Sequence, residues 1–175
     1  ALYTPSNTNT RRYGVLASLI WKVDDDNLVR LSYTNDYGRH RQTGDLAALE
    51  ALLVRQTVPS HGVVFHAGDT DQDLLIVLSG HITLVTQWPP DKGLRLATVG
   101  PGMAFGEMAF LNGAARSACA GSERGPAHLV RLSRAHFDAW ARQYPEAALT
   151  VMNNLAQIGA RRLAVTTRQL RAVLE

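Results

Sequence analysis

Two charged residues stand near the ends of a short segment whose other residues are small, apolar or uncharged. The segment, residues 105–118, has the sequence FGEMAFLNGAARSA, with Glu107 near its start and Arg116 followed by Ser117 near its end. A guanidinium holds its N–H donors in a planar fork and can bond two phosphate oxygens together, which suits it better than an ammonium to this task. Arg116, with the Ser117 hydroxyl beside it, is therefore a candidate site for a phosphodiester.

Glu107 cannot bind the phosphate, because a carboxylate repels it, so it must contact another group of the ligand. It would accept a hydrogen bond from a hydroxyl, so the segment would recognise one molecule that carries both a phosphate and a free hydroxyl. The run GEMAFL predicts a short helical turn whose first backbone N–H groups are further donors, with Gly106 allowing close approach of a ligand. Spacing alone leaves a second interpretation open, since a Glu and an Arg nine residues apart often form a salt bridge or point to solvent.

The surrounding sequence predicts an all-β unit that would position this segment. Short β-like runs begin at residue 63 and are separated by glycine-containing turns. The runs are VVF at 63–65, LLIVL at 74–78, HITLVT at 81–86, LRLATV at 94–99 and HLVRL at 128–132. We expect a positive φ, which lets antiparallel strands double back, at Gly62, Gly68, Gly80 and Gly102. A β-roll or jelly roll is the simplest arrangement of such strands.

Two helices are predicted after the strands. Ser133 is a suitable N-cap for the first, whose Phe137, Trp140, Ala141 and Tyr144 fall on one face. Pro145 starts the second, which runs to about residue 174 and repeats apolar or small residues at spacings of three and four, as in a coiled coil. Packing on the roll is the alternative for its first half. The repeating residues are Leu149, Met152, Ala156, Gly159, Leu163, Thr166, Leu170 and Val173.

The N-terminal residues follow another pattern. Residues 1–13 are predicted to be a linker, and GVLASLIWKV is predicted to be a helix or a strand. LVRLSY at 28–33 is predicted to be a strand, and DLAALEALL at 45–53 is predicted to be a helix that starts at Asp45. The order helix, strand, helix indicates an α/β fragment. We therefore divide the chain into residues 1–44, a linker and partial α/β segment, and residues 45–175, a mainly β unit with flanking helices and a long C-terminal helix.

Composition sets limits on the class of protein. The chain has 175 residues, 46% hydrophobic and 19% charged, and its longest wholly apolar runs are too short to span a bilayer. The single Cys119 cannot form an internal disulfide, which fits a reducing cytoplasm. A net charge of +3 does not by itself indicate a nucleic-acid partner. Because the chain begins with Ala1, we expect a piece of a longer protein or a chain that has lost its initiator Met.

Residues 105–118 resemble the phosphate-binding cassette of the cyclic nucleotide-binding domains. The flanking sequences PSHGVVFHAGDTDQDLLIVLSGHITLV, LATVGPGMAFGE and LVRLSRAHFDAWARQYPEAALTVMNNLA agree with that family in order and spacing, over roughly residues 54–174. The resemblance implies a bacterial signal-transduction module, not itself an enzyme, whose β-roll holds cAMP or cGMP and no metal. It implies that Glu107 contacts the ribose 2′-hydroxyl and that Arg116 and Ser117 contact the cyclic phosphate, together with the amides near Glu107 to Ala109, after Gly106.

The resemblance also assigns the base pocket and a partner. The positions that match the family's apolar base pocket are Leu84, Leu96, Val99 and Met108. RRLAVTT at 161–167 is similar to the long helix of the bacterial catabolite-activator proteins, in which paired hydroxyl residues meet the adenine from both subunits of a dimer. That similarity implies Thr166 and Thr167 as adenine contacts and a homodimer through the C-terminal helix. Ser117, where threonine is the alternative, favours cAMP.

The sequence departs from a catabolite activator in one respect and resembles a second family at its other end. No helix-turn-helix follows the long helix, so we expect no direct DNA binding by this chain unless it is the sensor domain of a truncated transcription regulator. The N-terminal segment resembles the latter half of a STAS domain. Such domains precede cyclic nucleotide modules in some bacterial sulfate transporters and glutaminases, which implies a regulatory tail fused to a transporter or an enzyme.

Two other functions remain as alternatives. Cupin enzymes share the jelly roll and hold metal through clustered histidines, for which His61, His66 and His81 are candidates, although the chain has no His-x-His pair. A dimerising scaffold of the same fold would bind no nucleotide. The presence of both Glu107 and Arg116 argues against the scaffold.

Overall fold

A computed structural model describes residues 18–23, 29–34, 40–41 and 44–174. Within them the chain forms eleven strands and four helices, with a 3-10 turn at Pro90–Lys92. In chain order the elements are β1 Ser18–Val23, β2 Val29–Thr34, β3 His40–Arg41, α1 Gly44–Glu50, β4 Val54–Val58, β5 Val63–Phe65, β6 Leu74–Ser79, β7 Ile82–Val85, β8 Arg95–Val99, β9 Ala104–Phe105, α2 Glu107–Asn112, β10 Cys119–Gly121, β11 Ala127–Leu132, α3 Arg134–Gln143 and α4 Pro145–Leu174.

Two antiparallel four-stranded sheets form the β-roll. One has the strand order β5-β10-β7-β8 and the other β4-β11-β6-β9. Successive side chains of a strand point to opposite faces, and β6 is buried on both. Leu74, Ile76 and Leu78 face the helices, whereas Leu75 and Val77 face the interior of the roll. This explains why LLIVL is a continuous apolar run, and the predicted mainly β roll with flanking helices and a long C-terminal helix is confirmed.

The helices cover the outer face of the β6–β11 sheet as a second core. Phe137 and Trp140 of α3 pack there with Val151 and Leu155 of α4, and Phe110 of α2 packs edge-on to Phe137 with ring centroids 5.1 Å apart. Leu49 of α1 joins the same cluster. The short helix that carries Glu107 is therefore fixed against α3 and α4.

The five strands predicted for the roll correspond to β5, β6, β7, β8 and β11, the strand predicted at 28–33 to β2, and the two predicted C-terminal helices to α3 and α4. Strands β4, β9 and β10 were not predicted, because β4 is largely exposed and the other two are only two and three residues long. Ser133 is at the N-cap of α3, but its side chain makes no capping bond. Instead, the Asp73 carboxylate accepts the backbone N–H of Arg134 at 3.3 Å.

Three of the four predicted glycine conformations are present. Gly68, Gly80 and Gly102 have φ values of 91°, 77° and 77°. The prediction for Gly62 is wrong, because the preceding residue His61 takes the left-handed conformation, with φ 61°. Gly62 is needed for space instead, since a Cβ there would lie 2.8 Å from the ring of Pro59.

The buried face of α4 differs from the predicted repeat. Val151 and Leu155 are buried against the roll, whereas Leu149 and Leu163 of the repeat are 63% and 66% exposed. The first half of the helix therefore packs on the roll, and of the described repeat residues only Met152 joins this core, whereas Gly159 and Thr166 line a cavity. The side chains of Leu170 and Val173 lie outside the described residues.

The N-terminal strands form a separate antiparallel sheet. Its order is β1-β2-β3, and β1 pairs with β2 from Ser18 opposite Thr34 to Val23 opposite Val29. Residues 18–23 are thus a strand, so the described order is three strands before α1 and not helix, strand, helix. The helix predicted at 45–53 is α1, and the predicted linker at 1–13 lies outside the described residues. None of the helices in the described part combines the length and apolar character needed to cross a bilayer.

Leu155→Ala should detach part of α4 from the roll. Leu155 is 1% exposed, and removing such a side chain from a core costs about 2–5 kcal/mol of unfolding free energy. Urea denaturation measures the loss. Leu149→Ala on the exposed side of the same helix is the control and should cost less than about 0.5 kcal/mol. Equal losses for the two variants would contradict this packing of α4.

Candidate functional site

A cavity of about 470 Å³ lies between the roll, α2 and the middle of α4. Its size falls in the range of about 300–1,000 Å³ that is usual for small-molecule sites. Gly106, Glu107, Arg116 and Ser117 all line it, with Thr166 of α4. The two charged residues singled out in the sequence therefore face one space.

Arg116 is buried, at 3% exposure, although it carries a charge. Its backbone is fixed to the turn before β6, because its N–H donates to the Asp69 carbonyl and its carbonyl accepts the Gly68 N–H, both at 2.8 Å. The guanidinium carbon lies 4.2 Å from the ring centroid of Phe65, a cation–π arrangement. Backbone and aromatic contacts together hold the guanidinium at the wall of the cavity.

Protein acceptors take most of the Arg116 donors. Nε and Nη2 donate to the two carboxylate oxygens of Asp71, the first at 3.1 Å. Nη2 also donates to the Asp73 carbonyl at 2.8 Å, and Nη1 donates to the Gly106 carbonyl at 3.1 Å. Four of the five N–H donors of the guanidinium are thus engaged, and the remaining one belongs to Nη1.

The pairing with Arg116 keeps Asp71 ionised. Partial burial raises the pKa of the carboxyl, but the hydrogen bond and charge of Arg116, with the charge of Arg131, outweigh it and hold the pKa below its ordinary value. Since the folded pKa is the lower one, the pair stabilises the fold above the unfolded pKa and loses this effect as the pH falls through the folded pKa.

Gly106 permits the approach of Arg116. It is the N-cap of α2 with φ 77°, a conformation that favours glycine. A Cβ at this position would clash with Arg116 Nη1. The residue is therefore constrained both by its backbone and by its neighbour.

Glu107 is paired with α4 and not with Arg116. It is 4% exposed, and its Oε2 accepts a hydrogen bond from Arg162 Nη1 at 2.6 Å. Arg162 Nη2 donates to the Ala104 carbonyl at 2.6 Å, so the same side chain ties α4 to β9. The alternative of a Glu107–Arg116 salt bridge is not observed. Arg162 was missing from the predicted site residues, although it lies four residues before Thr166 and so on the same helix face.

The remaining predicted site residues divide into two groups. The cavity is lined by Leu84, Leu96, Met108, Ala109 and Thr166. Val99 is not among the lining residues, because it is fully buried in the core of the roll with Ile82 and Phe105. Thr167 is exposed and does not line this cavity. The Ser117 hydroxyl lies 3.7 Å from the Met108 sulfur, to which it donates.

The histidines proposed for a metal do not form a site. Over residues 18–23, 29–34, 40–41 and 44–174, no three His, Cys, Asp or Glu residues are grouped closely enough to hold a metal ion. His61, His66 and His81 are all exposed. The cupin alternative therefore has no geometric observation in its favour.

Comparison with known proteins gives one family and several relatives. Residues 55–144, just over half of the chain, match the profile of the family described as Cyclic nucleotide-binding domain. The chain is 31% identical over 171 residues to Glutaminase 2 of Bradyrhizobium diazoefficiens, a match that covers 91% of this chain and 26% of that protein. It is 36% identical over 109 residues to the Cyclic AMP receptor protein of Thermus thermophilus, covering 62% of this chain and 48% of that protein.

A solved structure agrees with these sequence matches. The crystal structure of Thermus thermophilus Catabolite Activator Protein is similar with a TM-score of 0.59 and 34% sequence identity, covering 73% of this chain and 57% of that one. The chain spans about a quarter of the length of the glutaminase that it matches.

Gly106→Ala should lower the unfolding free energy more than the same substitution at Gly102 does. Gly102 has the same φ of 77° but nothing within 4 Å of an added Cβ, so Gly102→Ala is the matched control. Left-handed strain costs either variant about 1–2 kcal/mol. Gly106→Ala should lose more unfolding free energy, because its Cβ displaces the guanidinium of Arg116. Equal losses in urea denaturation would show that Arg116 is not held against this glycine.

Proposed function

The chain belongs to the cyclic nucleotide-binding domain family, and we propose that it is a regulatory module that binds cAMP, in preference to cGMP, in the cavity beside α4. The observation that carries the proposal is that Arg116 and Glu107, both buried, line one cavity without pairing with each other. A cavity between them leaves room for a ligand with an anionic and a hydroxyl group.

The phosphate would lie at Arg116 and Ser117. The free N–H of Arg116 Nη1 and the Ser117 hydroxyl are donors for its oxygens, and the amides of residues 107–109 in the first turn of α2 have no acceptor within the helix. Arg162 contacts only one oxygen of Glu107. The carboxylate therefore keeps lone pairs for the ribose 2′-hydroxyl.

The base would lie against apolar side chains of the cavity. Leu84, Leu96 and Met108 supply that surface, and the Thr166 hydroxyl lies on the α4 side. Thr167 faces outward, which suits a contact with the ligand of a second copy. The name of the Thermus relative, a cyclic AMP receptor protein, supports cAMP as the ligand.

Ligand occupancy would be transmitted through α4. The Glu107–Arg162 pair joins the proposed ribose site to this helix. A ligand that contacts both groups stabilises whichever arrangement of α4 brings them together. The glutaminase relative, of which this chain spans about a quarter, supports a fused enzyme as the receiver, with a transporter as the alternative.

Two copies would pair through α4. Leu163, at the edge of the cavity, is 66% exposed on the helix. Burying it against a second α4 would remove apolar surface from water. It would also bring Thr167 of each copy towards the other.

Calorimetry with cAMP and cGMP tests the binding proposal. Wild type should bind cAMP more tightly, and ligand at 100 times its dissociation constant should raise the stability by about 2.7 kcal/mol in thermal unfolding. Arg116→Ala should weaken binding by about 2–5 kcal/mol, because the partners of a desolvated charge are left unpaired. Arg168→Ala is the control, since Arg168 is exposed and, among the described residues, bonds the Ala164 carbonyl of its own helix.

Glu107→Gln is a second variant for the same titration, because it keeps the shape of the side chain and removes its charge. It should also weaken binding. Wild-type protein that gives neither heat nor a thermal shift at millimolar cAMP or cGMP would refute the proposal and favour the nucleotide-free scaffold.

Leu163→Glu tests the pairing of α4. A buried unpaired charge is costly, so the variant should be monomeric at concentrations where wild type sediments as a dimer. Leu94→Glu places the same charge at a residue that is 70% exposed on the β7–β8 connection, and it should leave the dimer unchanged. Wild type that sediments as a monomer with saturating cAMP would refute the dimer.

A further inference from the structure

We propose that Asp71 makes the site selective for a singly charged phosphodiester over a doubly charged phosphomonoester. The cavity would then accept a cyclic nucleotide and reject the linear nucleotide that its hydrolysis produces. The inference rests on the proposed function, because it concerns the phosphate that Arg116 receives.

The first support is the number of donors left on Arg116. Asp71 takes one donor from Nε and one from Nη2, which is the forked edge that otherwise grips two phosphate oxygens. The Asp73 and Gly106 carbonyls take two more. One N–H of Nη1 remains, so Arg116 can bond one phosphate oxygen and cannot offer a fork.

The second support is the charge around the cavity. Three arginines line it, Arg116, Arg161 and Arg162, together with the carboxylate of Glu107. Asp71, directly behind Arg116, is a second carboxylate. Arg131, whose charge also acts on Asp71, is paired with Asp73, so the two cancel. The remaining three positive and two negative groups leave an excess of one positive charge, which matches a phosphodiester monoanion.

A phosphomonoester does not match this site. At neutral pH its charge is about −1.5 to −2, and it presents three acceptor oxygens. Its additional charge would meet no additional cation and would be repelled by the Asp71 carboxylate across the guanidinium. A diester has lost that charge by esterification, so Asp71 repels it less.

Among the acidic residues of the loop before β6, Asp71 is the one that is placed to repel a phosphate bound at Arg116. Asp73 contributes its carbonyl to Arg116, whereas its carboxylate is engaged by Arg131 Nη1 at 3.1 Å and by the N–H of Arg134. The Asp69 carboxylate accepts the His66 N–H at 2.8 Å. Only Asp71 places both carboxylate oxygens on the guanidinium.

The test is a pair of titrations, with cAMP and with 5′-AMP, on wild type, Asp71→Asn and Asp69→Asn. The measured quantity is the dissociation constant of 5′-AMP divided by that of cAMP. Asp71→Asn should lower this ratio about tenfold, the effect of about 1.4 kcal/mol of lost repulsion. Asp69→Asn removes the same charge two residues away and should leave the ratio within about twofold of wild type. Because both ligands are measured on one preparation, an inactive fraction cancels from the ratio.

A second measurement needs no variant. The methyl ester of 5′-AMP is a linear phosphodiester with one negative charge, and it should bind wild type more tightly than 5′-AMP does. An unchanged ratio in Asp71→Asn, or a methyl ester that binds no better than 5′-AMP, overturns the role of Asp71. Wild type that binds neither nucleotide refutes the proposed function instead.

Discussion

A guanidinium that is 3% exposed has to find its counter-charge and its acceptors inside the protein. Arg116 draws them from two separate segments, the loop of residues 71–73 before β6 and the carbonyl of Gly106 at the start of α2. These bonds fix the two segments relative to each other and to Phe65. The wall of the cavity therefore depends on one side chain, and a Cβ at Gly106 would clash with it.

The second constraint is the change along α4 from residues packed on the roll to exposed residues. As far as Leu155 the helix is held by apolar burial, and from Leu163 onward most of its described side chains are exposed. Between these two parts, Arg162 bonds Glu107 and the Ala104 carbonyl. The cavity opens at this boundary, so the proposed ligand would contact the helix where its packing on the roll ends.

The sequence predicted those parts of the fold that depend on patterns among neighbouring residues. The apolar run of β6 and the spacing of Phe137 and Trp140 in α3 follow from burial and helix periodicity, and both are in the structure as expected. Strands β9 and β10 escaped prediction because they are short and are defined by pairing with distant strands. Gly62 was assigned the turn conformation that its neighbour His61 adopts, because either residue can close the same turn.

The charged residues of the cavity were predicted where they lie in one contiguous segment, whereas Leu84, Leu96 and Thr166 were reached only through the family resemblance. Glu107, Arg116 and Ser117 lie within one segment, and the structure brings all three to one cavity. Their partners Asp71 and Arg162 are 45 and 55 residues away in sequence, so no local pattern marks them. Val99 was placed in the pocket because it matches the family's base-pocket positions, whereas the packing of the roll turns it into the core.

A crystal structure of the protein grown with cAMP tests the central claim most directly. A phosphate oxygen should lie about 2.8 Å from Arg116 Nη1, a usual distance for a charged hydrogen bond. The Asp71 carboxylate should remain on the other edge of the guanidinium, and the ribose 2′-hydroxyl should contact Glu107. A nucleotide bound elsewhere, or a phosphate in the cavity with no contact to Arg116, would contradict the account.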